Sequence, residues 1–142
     1  MPLYLLDTNI VSQVANPRPN PNVVAFFGRE SSFCVSVILF EELMIGLERA
    51  PVEKKGRHSI FYSGVQAEFG GKALPITLEV ARSWGRLRAL AQSRVRNLTI
   101  GDALIAATAM VHGARVGTRT VRDFTDLGVD VLNPFDQGPG SI

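Results

Sequence analysis

Four acids in this chain stand where chemistry could happen. Asp7 closes the apolar run Leu3–Leu6 and leads into Thr8-Asn9. Glu42 is bordered by Leu39, Phe40, Leu43 and Met44, so its helix should be apolar over most of its circumference. Asp102 precedes Ala103-Leu104-Ile105-Ala106-Ala107, a stretch too apolar for a surface helix, and Asp123 follows Thr118-Arg119-Thr120-Val121-Arg122. Carboxylates entering buried surroundings repel one another unless a cation sits between them. An all-oxygen ligand set favours Mg2+ or Mn2+ over zinc or copper. The chemistry served by carboxylate-held Mg2+ is phosphoryl transfer or phosphodiester hydrolysis, in which the ion activates water and neutralises charge on the phosphate.

Each acid also has an ordinary reading. Asp7 can cap the helix that follows it. Thr99-Ile100-Gly101-Asp102 and Thr120-Val121-Arg122-Asp123 both fit a capping box, whose acid also suits the helix dipole. Glu42 can lie on a solvated helix face, with Arg29 or Arg49 as a surface partner of little worth. Singly the ordinary readings are sufficient; four acids leading into apolar segments speak for a shared site. Other chemistries lack their residues. The chain has no GxxxxGK[ST], GxGxxG or GxSxG pattern. His112 precedes Gly113 at a helix end, where it faces the dipole, and His58 follows the polar run Lys54-Lys55-Gly56-Arg57 and should lie on the surface. A Ser/His/Asp or Cys/His mechanism therefore has no base.

The elements that must position the acids alternate in type. Strands are expected at Leu3–Leu6, Phe33–Val37, Ala73–Ile76, Arg115–Thr118 and Val129–Leu132. Asn16 to Asn22, with Pro at every second residue, reads as a stiff loop before a short helix over Val23–Phe27. Further helices are expected over Ile38–Arg49, from Pro51 through Phe61, Val65 and Phe69 to Gly70-Gly71, over Leu78–Arg94, and over Ala103–His112. Asp123-Phe124 belongs to a turn or short helix. Short apolar strands separated by helices predict a three-layer α/β domain around a parallel sheet of about five strands. Function in such sheets gathers beyond the carboxyl ends of the strands, where Asp7, Glu42 and Asp123 fall.

The composition is consistent with this. A chain of 142 residues suits one domain, here residues 1–135 with a loose tail over 136–142, and buries about 68% of its unfolded surface. With 46% apolar and 20% charged residues it is not a disordered sequence. The single cysteine, Cys34, lies in an apolar run and reads as a buried small residue. Arg outnumbers Lys within a net charge of +2, which suits phosphate or carboxylate partners. No signal-peptide pattern opens the chain and no run approaches a membrane span, so a cytoplasmic protein is expected.

Four motifs carry a resemblance over Leu3 to Phe135. They are Leu5-Leu6-Asp7-Thr8-Asn9, Ser36 with Glu42-Leu43-Met44-Ile45-Gly46, Asp102 through Ala109, and Thr118-Arg119-Thr120-Val121-Arg122-Asp123-Phe124. In this order and at these separations the chain resembles the PIN-domain ribonucleases, and among them the VapC toxins of type II toxin–antitoxin modules, in the FitB-like branch. The resemblance implies a PIN fold and an acidic quartet of Asp7, Glu42, Asp102 and Asp123 around Mg2+ or Mn2+. It implies that Asn9 braces the site and that Thr118 orients a carboxylate or the scissile phosphate. It assigns Glu42 by the E-L-x-x-G spacing, where periodicity leaves Glu41 and Glu42 open. The chain departs from the family at Thr120, where T-x-N-x-x-D-F usually has Asn, so the place of Asp123 is an open point. A metal-dependent endoribonuclease would follow, held silent by a VapB-type antitoxin and paired as a homodimer. Arg82, Arg86, Arg94, Arg96 and Arg119 are candidate RNA contacts; a solvated helix face is the other reading, since no aromatic platform adjoins them in sequence. Two further classes fit less well. A phosphatase with Asp7 as nucleophile wants a second acid where Asn9 stands, and a lysine beside a site motif, where the chain has only Lys54, Lys55 and Lys72 elsewhere. A catalytically silent metal-binding or interaction domain of the same layers is the third.

Overall fold

The computed structural model describes residues 2–93 and 98–136. Among them five strands and six α-helices alternate: β1 (Tyr4–Leu6), α1 (Thr8–Val14), α2 (Pro21–Arg29), β2 (Phe33–Ser36), α3 (Ile38–Arg49), α4 (Val52–Phe69), β3 (Ala73–Leu74), α5 (Leu78–Ser93), α6 (Ile100–His112), β4 (Arg115–Gly117) and β5 (Val131–Leu132). Short 3-10 turns cover Gly70–Lys72 and Val121–Phe124. The expected tail, apart from Asp136, lies outside the described residues.

The strands form one parallel sheet in the order β3-β2-β1-β4-β5. Alternation along each strand assigns the two faces. Leu5, Cys34 and Val116 join Val80 and Leu87 of α5 and Leu104 and Ala106 of α6 in one core. Tyr4, Leu6 and Val35 join Ile10, Val23, Phe26, Leu39, Val65 and Phe69 from α1 to α4 in the other. This is the three-layer sandwich the alternation predicts, with β1 central. Burial pushes the Cys34 thiol up to about 11, so it stays protonated at neutral pH and unreactive.

Several boundaries differ from expectation for local reasons. The helix foreseen over Val23–Phe27 is longer, because Pro21 occupies its first turn and the Asn20 side chain accepts the N–H groups of Asn22 and Val23. The last proline of the presumed loop thus begins a helix. In α6, Thr99 is the N-cap and accepts the Asp102 N–H at 3.1 Å, which moves the start back to Ile100. Gly113 closes that helix in the left-handed conformation (φ 63°), donating its N–H to the carbonyls of Ala109 and Met110. The α3 helix is less enclosed than its composition suggests: only Leu39 is buried, and Met44 and Ile45 are exposed beside Glu42. His58 is half-buried on α4, with Nδ1 4.0 Å from where a Cβ on Gly46 would lie, so it is an interhelical residue rather than a surface one.

Candidate functional site

The site begins at the carboxyl end of β1. Asp7 takes an extended conformation and caps α1, its Oδ1 accepting the Thr8 N–H at 2.8 Å. Its Oδ2 accepts the Thr118 hydroxyl, also at 2.8 Å, from the end of β4. Both residues are buried. Gly117 packs closely here: a Cβ there would meet Leu6 Cδ2 at 3.2 Å, so that side chain would have to give by a few tenths of an ångström, and the Asp7 N–H donates to the Gly117 carbonyl at 2.9 Å. Asn9 lies at this corner. Its Oδ1 accepts the Arg119 N–H at 3.1 Å and its Nδ2 faces Thr118 Oγ1 at 3.5 Å.

Two helices bring further acids. Glu42, in the second turn of α3, accepts the Thr8 hydroxyl on Oε1 at 3.2 Å. Asp102 stands in the first turn of α6. Asp7, Glu41, Glu42 and Asp102 line one cleft of about 370 Å³ with Ile38, Thr99, Ile100, Gly101 and Ile105. Glu42 is exposed, contrary to the enclosed setting its neighbours suggested, yet desolvation of its carboxyl in the cleft, first, and then the charges of Asp7, Glu41 and Asp102 raise it above the ordinary range, against the pull of the Thr8 hydrogen bond. Burial, then Asp7 and Asp123, raise Asp102 against a hydrogen bond with the Thr99 side chain. Asp123 is not on the lining; half-buried in its 3-10 turn, it reaches the site through its charge on Asp102.

The chemistry of the donor set fits a hard divalent cation. Every polar side chain on the cleft lining presents oxygen, and no histidine or cysteine lines it. Among the described residues, however, no three acids, histidines or cysteines are drawn together as a preformed metal cage. The carboxylates are instead each held by a neighbouring side chain or N–H: Asp7 by Thr8 and Thr118, Glu42 by Thr8, Asp102 by Thr99.

The arginines divide. Arg82 and Arg86 are exposed on α5, away from its buried stripe of Val80, Leu87 and Ala91. Arg94 and Arg96 lie outside the described residues. Arg119 has the aromatic neighbour that sequence proximity could not reveal: its guanidinium sits 4.7 Å from the Phe135 ring centroid, brought there by the chain's return through β5. Sequence reasoning also missed Thr8, which hydrogen-bonds Glu42 while its N–H holds Asp7; the signal was its position between two site residues. The chain's larger cleft, about 470 Å³, lies elsewhere and is lined largely by apolar groups such as Val14, Val23, Val24, Phe27 and Phe69.

Comparison with known proteins places these features. The sequence profile of the PIN domain matches residues 4–122. A VapC ribonuclease of Sinorhizobium fredii is 32% identical over 140 residues, spanning 94% of this chain and 99% of its own. Toxin FitB of Neisseria gonorrhoeae is 31% identical over 137 residues, with the same coverage of 94% and 99%. The crystal structure of FitAcB from Neisseria gonorrhoeae superimposes with a TM-score of 0.82 at 31% identity, covering 94% of this chain and 99% of that one. DNA-bound VapBC from Salmonella typhimurium shares the fold, with a TM-score of 0.80 at 24% identity over 94% of this chain and 99% of that one.

Proposed function

This chain belongs to the PIN-domain family, among its VapC and FitB toxins, and from that premise we propose that it is a divalent-cation-dependent endoribonuclease that arrests translation by cutting RNA in the cytoplasm. The observation that carries the reading is the convergence of Asp7, Glu42 and Asp102 on one cleft at the end of the central strand. Asp7 and Asp102 would hold the principal Mg2+ or Mn2+, Glu42 would complete the site, and Asp123 would serve a second ion or a water outside the first ligands. The bound ion supplies water activation and charge neutralisation on the phosphate. Glu42, its carboxyl raised by desolvation and by neighbouring acids, would help position the attacking water or take its proton. Thr118 and Thr8 hold Asp7 in place, and Asn9 fixes the backbone at Arg119. Arg119, steadied over Phe135, meets a backbone phosphate, with Arg82 and Arg86 extending the basic track and Arg94 and Arg96 assigned to it by sequence alone. In-line attack leaves 5′-phosphate and 3′-hydroxyl ends.

The chain acts as a homodimer; its silencing by a cognate antitoxin of the VapB or FitA kind has the support of the solved FitAcB complex. Among the described residues no helix is long and apolar enough to cross a membrane. A phosphatase reading has less support: Asn9 stands where a second acid is wanted, and Lys54, Lys55 and Lys72 line no part of the cleft. Structured RNA incubated with the purified chain and Mg2+ should be cut endonucleolytically, and chelation should stop the cutting. Cleavage that persists in excess chelator refutes the mechanism.

The raised carboxyls give a pH dependence with a definite sign. The cation binds the ionised forms, so protons on Glu42 and Asp102 compete with it. Because both are raised, competition begins on acidification above the usual carboxylate values of about 4. Mn2+ affinity should therefore rise with pH and flatten once both groups are ionised, with protons released on binding at the acid end. For the fold the linkage runs the other way: the metal-free chain loses stability as pH rises through the raised values, and the cation restores it. Calorimetry in two buffers of different ionisation enthalpy reads the proton release. A pH-independent affinity with no release would contradict the assignment.

A further inference from the structure

Thr120 occupies the N-cap position of the turn Val121–Phe124, yet its side chain makes no capping bond. The expected capping box does not form. Instead its hydroxyl lies 3.1 Å from Thr118 Oγ1, and its backbone N–H donates to the same oxygen at 3.1 Å. The direction of the hydroxyl contact follows from the proton count. Thr118 has one hydroxyl proton, and the Asp7 carboxylate, which accepts only, takes it at 2.8 Å. Thr120 is therefore the donor and Thr118 the acceptor. The Asn9 amide, at 3.5 Å, is the longest and weakest of the donors around that oxygen.

The geometry points to Thr120 as a positioning residue: its hydroxyl fills an acceptor site of Thr118 and so keeps the Thr118 proton aimed at Asp7 Oδ2. The inference rests on the reading of Asp7 as a ligand of the divalent cation. Thr118 is wholly buried while Thr120 is exposed, so Thr120 fixes from the rim the rotor of a hydroxyl enclosed beneath it. A hydroxyl that accepts a hydrogen bond also donates more strongly, which sharpens its hold on the carboxylate. Groups that orient a ligand in this way commonly tune metal affinity without touching the ion. A purely structural role is poorly served by this arrangement, because the backbone N–H bond to Thr118 and the carbonyl of Thr120, which accepts the Asp123 N–H at 3.0 Å, survive loss of the hydroxyl.

The test uses the full chain, Mn2+ alone as probe, and titration calorimetry in the absence of RNA. Thr120→Val removes the hydroxyl and keeps the branched shape; Thr120→Ser keeps the hydroxyl. Thr120→Val should bind Mn2+ roughly three- to tenfold more weakly, the worth of one hydrogen bond, with the thermal midpoint of the metal-free chain unchanged. Thr120→Ser should bind within about twofold of the parent chain. Parent-like affinity in Thr120→Val, or equal weakening in both variants, overturns the inference. So does a fall in Mn2+ affinity matched by a fall in metal-free stability. Asp7→Asn separates the two levels: if it also binds Mn2+ as the parent does, the metal reading of the site fails and this inference with it. If it does not bind while Thr120→Val is unaffected, only the inference fails.

Discussion

Replacing Asp7 by Asn should lower kcat/KM for RNA cleavage by about a thousandfold or more, the loss expected when several kcal/mol of cation-borne stabilisation is withdrawn. The variant should still fold. Asn is as good an N-cap as Asp, so its Oδ1 can continue to accept the Thr8 N–H and hold the start of α1. What it loses is charge. Asp7 contributes to the raised carboxyls of both Glu42 and Asp102, so in the variant both should titrate nearer to ordinary values. Its Nδ2 would also confront Thr118 Oγ1 with a donor where the carboxylate accepted. Steady-state cleavage assays beside thermal melts check both halves. Near-parent activity in a folded variant would remove Asp7 from the mechanism.

The largest expected loss of stability comes from Phe26→Ala, at about 3–5 kcal/mol. Phe26 is fully buried on α2. Its ring meets Tyr4 edge-on at 5.0 Å, with Phe27 at 5.6 Å and Phe33 at 5.7 Å. Truncation would leave a cavity bounded by β1, β2 and α2, three elements with little freedom to collapse. Against a total stability of about 5–15 kcal/mol for a domain, that removes about a fifth or more. Urea unfolding should show a lower midpoint with an unchanged slope, because the area exposed on unfolding barely alters. A loss below about 1 kcal/mol would mean that the seam closes around the gap.

The layers were legible because periodicity and burial agree. All five strand segments were visible as short apolar runs, although Ala73–Leu74 and Val131–Leu132 are shorter than the runs suggest. Ile38–Arg49 matches its expected bounds, set by apolar spacing before and Pro51 after. The start of α2 was hidden because Pro21 was counted with Pro17 and Pro19 as loop, whereas a proline in the first turn favours a helix when a cap such as Asn20 precedes it. At the site, Asp7, Glu42 and Asp102 share a cleft, and Asp123, the fourth acid of the motifs, is not on its lining. Their supporting contacts could not be read. Thr118 and Asp7 are 111 positions apart and meet only through the parallel pairing of β1 with β4, and the Arg119–Phe135 stack forms only when β5 returns beside β4. Nor could composition separate an apolar helix from an enclosed one: α3 carries apolar residues on its exposed side as well.

The central place of β1 has a consequence for synthesis. The first strand to leave the ribosome is also the one that pairs with β4, the fourth, through the Tyr4–Arg115, Leu5–Val116 and Leu6–Gly117 register. Contacts so distant in sequence close last, after the loop entropy between them has been met. Until the end of β4 emerges, Asp7 has no Thr118. A chain that stops short of β4 lacks this contact, so the parallel pairing of β1 with β4 makes the cleft a late product of folding.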